Sequence, residues 1–241
     1  MAEQARTGRG RPPQSRGRRP RKTAEEERVD TIDKRARDLE TWVPKTELGK
    51  KVQRGEIETI AQLFEQNAKV MESEIVDTLI PEMFEEMVDF KKTSKVRRAG
   101  RMFRFRVTML VGDGNGHLGL GTATDKERWP AVRKATKKAK LHMVSIRRGC
   151  GSWECTCGTG HSVPFKVEGK SSSIRVTLLP APRGTGLVVG RNIKNVMKFA
   201  GVQDVWSQTK GNTRSTLDFV SAAVDALAQT TKMRGGSGDK R

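Results

Sequence analysis

The chain has 241 residues and a formal net charge of +19, from 47 Lys plus Arg against 28 Asp plus Glu, with aromatic residues at 5% and no tyrosine. So large a cationic excess argues for a polyanionic partner, nucleic acid first, while the scarcity of aromatics leaves few platforms for stacking unpaired bases. No stretch approaches the roughly 20 apolar residues that span a bilayer and the N-terminus has no apolar signal core, so the sequence reads as a soluble intracellular protein with no membrane partner.

Charge comes in blocks. Residues 1–23 hold seven Arg and one Lys against Glu3, among Gly, Pro, Gln and Ser, which reads as a disordered basic arm that orders on nucleic acid. Residues 24–90 reverse the sign, with 18 acids against 9 bases. There Ile57, Ile60, Leu63 and Phe64 recur at helical spacing, Ile75, Leu79 and Met83 suggest a further turn or two, and Pro81 ends or kinks what precedes it. Residues 24–87 are therefore an acidic helical extension. RNA would repel it, which leaves protein neighbours, the chain's own basic parts, or solvent alone to face it.

Residues 91–148 flip again, to 17 bases against Asp113, Asp125 and Glu127. Phe103, Phe105, Val107, Met109 and Val111 alternate with Arg104, Arg106 and Thr108, the period of a strand with one packed and one positive face. The glycines at 112, 114 and 116, with Asp113 and Asn115, turn the chain back through Leu118 and Leu120. Trp129, Val132, Ala135, Ala139 and Met143 then form the apolar side of a helix whose other side carries Arg133, Lys134, Lys137, Lys138 and Lys140. Residues 88–149 are thus one small α+β domain with a hairpin and a basic surface suited to phosphates.

After a cysteine-rich loop at 150–162, residues 163–231 form a second domain. Strands are predicted over residues 165–167 and 174–178, a loop over 180–186, a helix through Ile193, Val196, Met197 and Ala200, a short strand at 204–207, and a helix through Leu217, Val220, Ala223, Val224 and Leu227 with Thr213 or Ser215 as its cap. Residues 232–241 are a flexible tail.

The glycine runs are not nucleotide loops: GDGNGHLGLG lacks a Lys-Ser/Thr ending and lies between strands, and PRGTGLVVG has no acid at the ribose-binding distance. A glycine turn that lets backbone approach RNA or protein suits both better. With three histidines and no nucleophile elbow, carboxylate pair or metalloprotease helix, the chain does not read as an enzyme. Cys150, Cys155, Cys157 and His161 are the remaining constellation. Their spacing fits a closed four-ligand zinc site with a tight C-x-C step or, alternatively, three reduced thiols, so zinc is the one cofactor the sequence suggests.

Residues 88–230 resemble the S-five family of small ribosomal subunit proteins. The resemblance rests on VRRAGRMFRFRVTMLVGDGNGHLGLG, AVRKATKKAKLHMVSIRRG, HSVPFKVEGKSSSIRVTLLPAPRGTGLVVG, NVMKFAGVQDVWS and TRSTLDFVSAAVDAL, in that order, and the long N-terminal extension is similar to the archaeal and eukaryotic branch. It implies an α+β fold: a domain similar to double-stranded RNA-binding domains, then a second small α/β sandwich domain of β-α-β-β-α order, behind an extended N-terminal arm. It also implies a structural constituent of the small subunit on the cytoplasmic ribosome. Such a protein binds small-subunit ribosomal RNA, helps form the place where messenger RNA enters, affects decoding accuracy, and neighbours small-subunit proteins four and eight, with two and three as further candidates. The quartet of cysteines and histidine is no part of the shared family pattern.

By position, Arg97, Arg98, Gly100 and Arg101 lie in the stretch that resembles the family's RNA-contacting loop. Arg183, Gly184, Thr185 and Gly186 fall where the family approaches protein four. Adding the basic strand, hairpin and helix gives Arg104, Arg106, Asn115, His117, Arg133, Lys134, Lys137, Lys138, Lys140, Arg147 and Arg148 as further candidate RNA contacts. A free-standing duplex-RNA binder and an RNA-modifying enzyme are the alternatives. The first would bind arbitrary duplex tightly, and the second needs a catalytic constellation.

Overall fold

A computed structural model describes residues 39–65 and 68–232 of the chain. The basic arm at 1–23 and most of the tail at 232–241 lie outside the described residues.

The first sheet has the order β1-β2-β3-β4, all antiparallel: β1 (Phe84–Arg97), β2 (Gly100–Gly112), β3 (His117–Asp125) and β4 (Met143–Ser145). β1 crosses the boundary expected at residues 87/88, and the helical reading of the acidic segment ends before it. Its acids obscured the strand: Glu85 and Glu86 reduce the apolar contrast on which a period is read, and a bulge between Met87 and Asp89 shifts it by one residue. Between β3 and β4 runs a helix, Arg128–Leu141, which packs on the sheet.

That helix buries alanines. Ala131, Ala135 and Ala139 have no exposed surface, and the sheet beneath offers Gly119 and Gly121, where an added Cβ would lie 2.2 Å from the Ala139 carbonyl oxygen and 2.3 Å from that of Ala135. Backbone meets backbone, so the helix sits too low for large side chains. The sequence reading of its apolar side is corrected accordingly: Trp129 is 72% exposed at the first turn, Met143 belongs to β4, and Thr136 and Lys140 lie in the buried stripe.

The expectation of one packed and one positive face on β2 is corrected: in its outer half Phe103 is exposed along with Arg104, and its inner half is buried on both faces. Val107, Thr108, Met109, Leu110 and Val111 are all buried, because the first-domain helix and the N-terminal extension cover one face while Leu110 and Leu118 on the other join the core of the second domain. A strand covered on both faces carries a continuous apolar run, as this one does.

The second domain has four strands in the order β5-β6-β8-β7: β5 (Val167–Ser171), β6 (Ile174–Pro180), β7 (Leu187–Val188) and β8 (Val205–Lys210). The helix Arg191–Ala200 connects β7 to β8, which are parallel, and the helix Thr216–Ala228 follows β8 and packs over β5 and β6. The element order is therefore β-β-β-α-β-α and not β-α-β-β-α. The reason is local: Ser172, in the left-handed region at φ 54°, and Ser173 close a tight β5-β6 hairpin, leaving no room for a helix between the first two strands. Ser215 is the cap of the last helix, but its hydroxyl donates to Asp218 Oδ2 at 2.6 Å instead of accepting a backbone N–H.

The extension folds onto the first domain. Helices Glu47–Gln53, Ile60–Glu65 and Ser73–Leu79 bury Val52, Ile60, Leu63, Ile75 and Val76 with Met83 and Val111, and the last of them ends before Pro81. Its acids meet the chain's own basic helix: Lys137 Nζ lies 3.3 Å from Glu74 Oε1, and Lys140 Nζ 2.7 Å from Asp77 Oδ1.

The β2-β3 hairpin likewise turns its glycine backbone inward: of the partners expected for it, RNA or protein, Gly114 meets the chain's own second domain, while Asn115 stays exposed. Gly114 N–H donates to Phe199 O at 2.9 Å, and Arg148 Nη1 donates to Gly114 O and Gly201 O at 3.2 and 3.4 Å, so the turn locks the two domains together. Asp113 organises it, with Oδ1 accepting from the Asn115 and His117 amides and Oδ2 2.6 Å from His117 Nδ1. Burial raises the Asp113 pKa, but the bonds from His117 and Asn115 outweigh it and hold the carboxyl below its ordinary value. A carboxylate depressed in the folded state contributes stability that is present above the unfolded pKa of about 3.9 and lost as pH falls through the folded value. Asp113→Asn is thus expected to flatten the acid limb of stability. Urea midpoints followed from about pH 6 down to about pH 3 should fall less in the variant than in wild type, and parallel curves would reject this role.

Candidate nucleic-acid interface and candidate metal centre

β3 pairs with β2 only as far as Phe105 opposite Asp125, so residues 93–104 continue as a two-stranded ribbon beyond the sheet, turning at Arg98 and Ala99. The register distributes its side chains. Lys91, Lys95, Arg97, Arg104 and Arg106 share one face, while Phe90, Lys92, Val96, Arg101, Phe103 and Phe105 share the other. Lys91, Lys92, Lys95, Arg97, Arg98, Arg101 and Arg104 are all exposed. The aromatic face is knitted by cations: Lys92 Nζ stands 3.9 Å from the Phe103 ring centre, and Arg128 lies 5.0 Å over Phe90. Gly100 closes the turn at φ 120°, a conformation that a side chain rarely adopts.

Of the other expected contacts, Arg133 and Lys138 are exposed with no acid in ion-pair range among the described residues. Lys134 and Lys137 are exposed but paired with Asp125 and Glu74. Asn115 is exposed on the hairpin, and His117 is half-buried and stacked on Phe64. Arg147 is half-buried and its amide donates to Thr230. Two expected contacts are corrected. The Lys140 side chain is 7% exposed, its charge held by Asp77 and Glu85, and Arg148 is spent on the domain junction. Helical position decides for Lys140, which shares the buried stripe with Thr136 and Ala139.

The loop between the domains brings Cys150, Cys155, Cys157 and His161 together, their candidate ligand atoms all within 4.8 Å of one another. An antiparallel bridge between Gly149 and Ser162 closes the loop at its base. Cys155 Sγ lies 3.8 Å from His161 Nε2, and the Thr159 hydroxyl donates to Cys157 Sγ at 3.3 Å, which draws that thiol down to about 6. Burial pushes the Cys150 thiol up to about 11, a tendency that a bound cation would reverse. Bond lengths of about 2.0–2.3 Å around a tetrahedral ion give ligand separations of about 3.3–3.8 Å, so the cluster has the donors to hold a metal ion and needs a contraction of at most about 1–1.5 Å to do so.

His161 is oriented from behind. Its Nδ1 lies 2.8 Å from Asp204 Oδ2, leaving Nε2 toward the thiols, and Asp204 Oδ1 accepts the amides of Gly184 at 3.1 Å and Gly186 at 2.7 Å. Of the expected interface residues, Arg183 and Gly184 are exposed, and Thr185 and Gly186 are half-buried. Asp204 escaped the sequence reading because 43 residues separate it from His161 and an acid before a short strand carries no periodic signal.

Residues 83–147 match the family described as ribosomal protein S5, N-terminal domain, a region that begins one residue before β1, and residues 169–236 match ribosomal protein S5, C-terminal domain. The small ribosomal subunit protein uS5 of Staphylothermus marinus is 48% identical over 204 residues, covering 85% of this chain and 94% of the relative. That of Ignicoccus hospitalis is 50% identical over 193 residues (80% and 92%), and that of Methanothermobacter thermautotrophicus 45% over 202 (84% and 94%). No helix among the described residues is long and apolar enough to cross a membrane. With both family domains matched in order and close to half the residues identical, the chain belongs to the ribosomal protein S5 family: it is a structural component of the small ribosomal subunit, in the cytoplasm, and not an enzyme.

Proposed function

We propose that the projecting ribbon is the main anchor of this protein on small-subunit ribosomal RNA, with Arg97, Arg98 and Arg101 at its tip and Arg104 behind them contacting phosphates. Gly100 lets the backbone come close, and Arg106, Asn115, His117, Arg133, Lys134, Lys137, Lys138 and Arg147 form a second, weaker ring of contacts. The observation that carries this is the run of exposed cations on a two-stranded arm that nothing else among the described residues covers. Binding of this kind is sequence-independent and salt-sensitive, and an A-form helix suits it because its shallow groove is recognised by shape and backbone.

In the same reading the protein helps form the place where messenger RNA enters and influences decoding accuracy. Small-subunit proteins four and eight are its neighbours, with two and three further candidates, and Arg183, Gly184, Thr185 and Gly186 make the contact with protein four. The thiol cluster holds a structural Zn²⁺, with Cys150, Cys155, Cys157 and His161 as its four ligands.

Arg97→Ala, Arg98→Ala and Arg101→Ala combined should weaken binding to a small-subunit RNA fragment and reduce the slope of log K against log salt by roughly one unit per arginine. An unchanged slope rejects the ribbon as anchor. Ribosomes carrying the variant should misread a near-cognate reporter codon at an altered rate, and wild-type misreading would reject the decoding role.

A further inference from the structure

We infer that Asp204 couples the metal centre to the loop at 180–186, so that the cation held by the thiol cluster sets the conformation this loop presents at the surface. The inference rests on the zinc reading above. Asp204 is 4% exposed, yet its carboxylate serves two masters: one oxygen takes His161 Nδ1, the other takes the amides of Gly184 and Gly186. The backbone ties the same elements at a second point, since the Gln203 and Asp204 amides both donate to His161 O, and Ser162 Oγ accepts from the Ala181 amide.

Beyond those bonds the loop is held by Thr185, whose amide and hydroxyl donate to Pro182 O at 3.3 and 2.8 Å, and by the Val205 amide on Gly186 O at 3.2 Å. Gly184 and Gly186 lie at φ 91° and 72°, and no heavy atom stands within 4 Å of where a Cβ would be at either, so hydrogen bonds and not packing define this segment. A cation on Nε2 fixes the imidazole plane and leaves its proton on Nδ1, directed at Asp204. The carboxylate, so held, presents its second oxygen to the two amides. Without the cation the ring turns more freely about its side-chain bonds and the carboxylate loses a fixed partner. Asp204 is therefore a positioning residue for the metal site and for the loop at once.

Arg183 supplies the readout, because the Arg183–Gly184 bond is a tryptic site inside the loop. Full-length chain, purified without chelator, is analysed for zinc and then digested with trypsin before and after metal removal, with cleavage at Arg98 in the β1-β2 turn as internal reference and far-UV circular dichroism as a check on the fold. The expected result is stoichiometric zinc and cleavage at Arg183 accelerated at least about fivefold by chelation, with the Arg98 rate unchanged. Asp204→Asn should bind zinc about 10–100-fold more weakly, shift the visible spectrum of the cobalt-substituted protein, and cleave at Arg183 like the chelated wild type even when metal-saturated. Stoichiometric zinc with an Arg183 rate indifferent to chelation, or a saturated Asp204→Asn that cleaves like wild type, overturns the coupling and leaves the zinc site standing. Wild type that carries no more metal than a Cys155→Ser, Cys157→Ser control and has three freely titratable thiols overturns both.

Discussion

Gly121→Ala is expected to destabilise the protein by about 3 kcal/mol, the upper end of the usual cost of overpacking, although it adds a single methyl group. The new Cβ would stand 2.3 Å from both the Ala135 carbonyl oxygen and the Ala139 amide nitrogen, and these atoms belong to a hydrogen-bonded helix that cannot rotate away as a side chain would. Relief requires the whole helix to rise from the sheet, opening its alanine stripe away from Val107 and Met109. The second domain repeats the device: a Cβ at Gly169 would meet the Ala222 carbonyl oxygen at 2.1 Å and the Ala226 amide nitrogen at 2.3 Å, so Gly169→Ala should cost a similar amount. At roughly 2–4 °C per kcal/mol for a chain of this size, each variant should melt about 6–12 °C lower. Urea denaturation measures the loss directly, and a change below about 1 kcal/mol in either variant would reject backbone contact between strand and helix as the reason for glycine at that position.

Lys140→Ala should be as damaging or more so, at about 3–5 kcal/mol, because it strips a buried cation from the carboxylates it serves. Lys140 Nζ lies 2.7 and 3.0 Å from the two oxygens of Asp77 and 3.4 Å from Glu85, inside the junction of the extension, β1 and the basic helix. Lys140→Met keeps most of the stem and its packing, so a loss of comparable size in that variant assigns the cost to charge and not to a cavity. Adding Asp77→Leu to Lys140→Met should recover part of the stability, since an apolar pair of similar volume often replaces a buried ion pair without loss. If Lys140→Met is within about 1 kcal/mol of wild type, solvent reaches the site and the pair contributes no more than a surface one.

Periodicity and charge, which are local properties, were legible in the amino-acid sequence. The strand at 103–111, the helical spacing of Ile193, Val196, Met197 and Ala200, the stop at Pro81 and the clustered ligands between Cys150 and His161 each need only a few neighbouring residues to be recognised, and each has its counterpart in the structure. The resemblance to a ribosomal family was legible for the same reason, in contiguous motifs that run in order.

Tertiary structure alone decided which of these features face solvent. Lys138 and Lys140 are two positions apart on one basic helix, and only the packing of that helix against the extension leaves the first exposed and buries the second between Asp77 and Glu85. Glycines read as a turn that lets backbone approach RNA or protein became the contact between domains because Phe199 and Arg148, distant in sequence, close on Gly114. Asp204 stands behind His161 because β8 begins beside the loop at 180–186, a juxtaposition no local pattern encodes. Burial and long-range hydrogen bonds depend on contacts between segments far apart along the chain, whereas charge and period travel with the residues themselves.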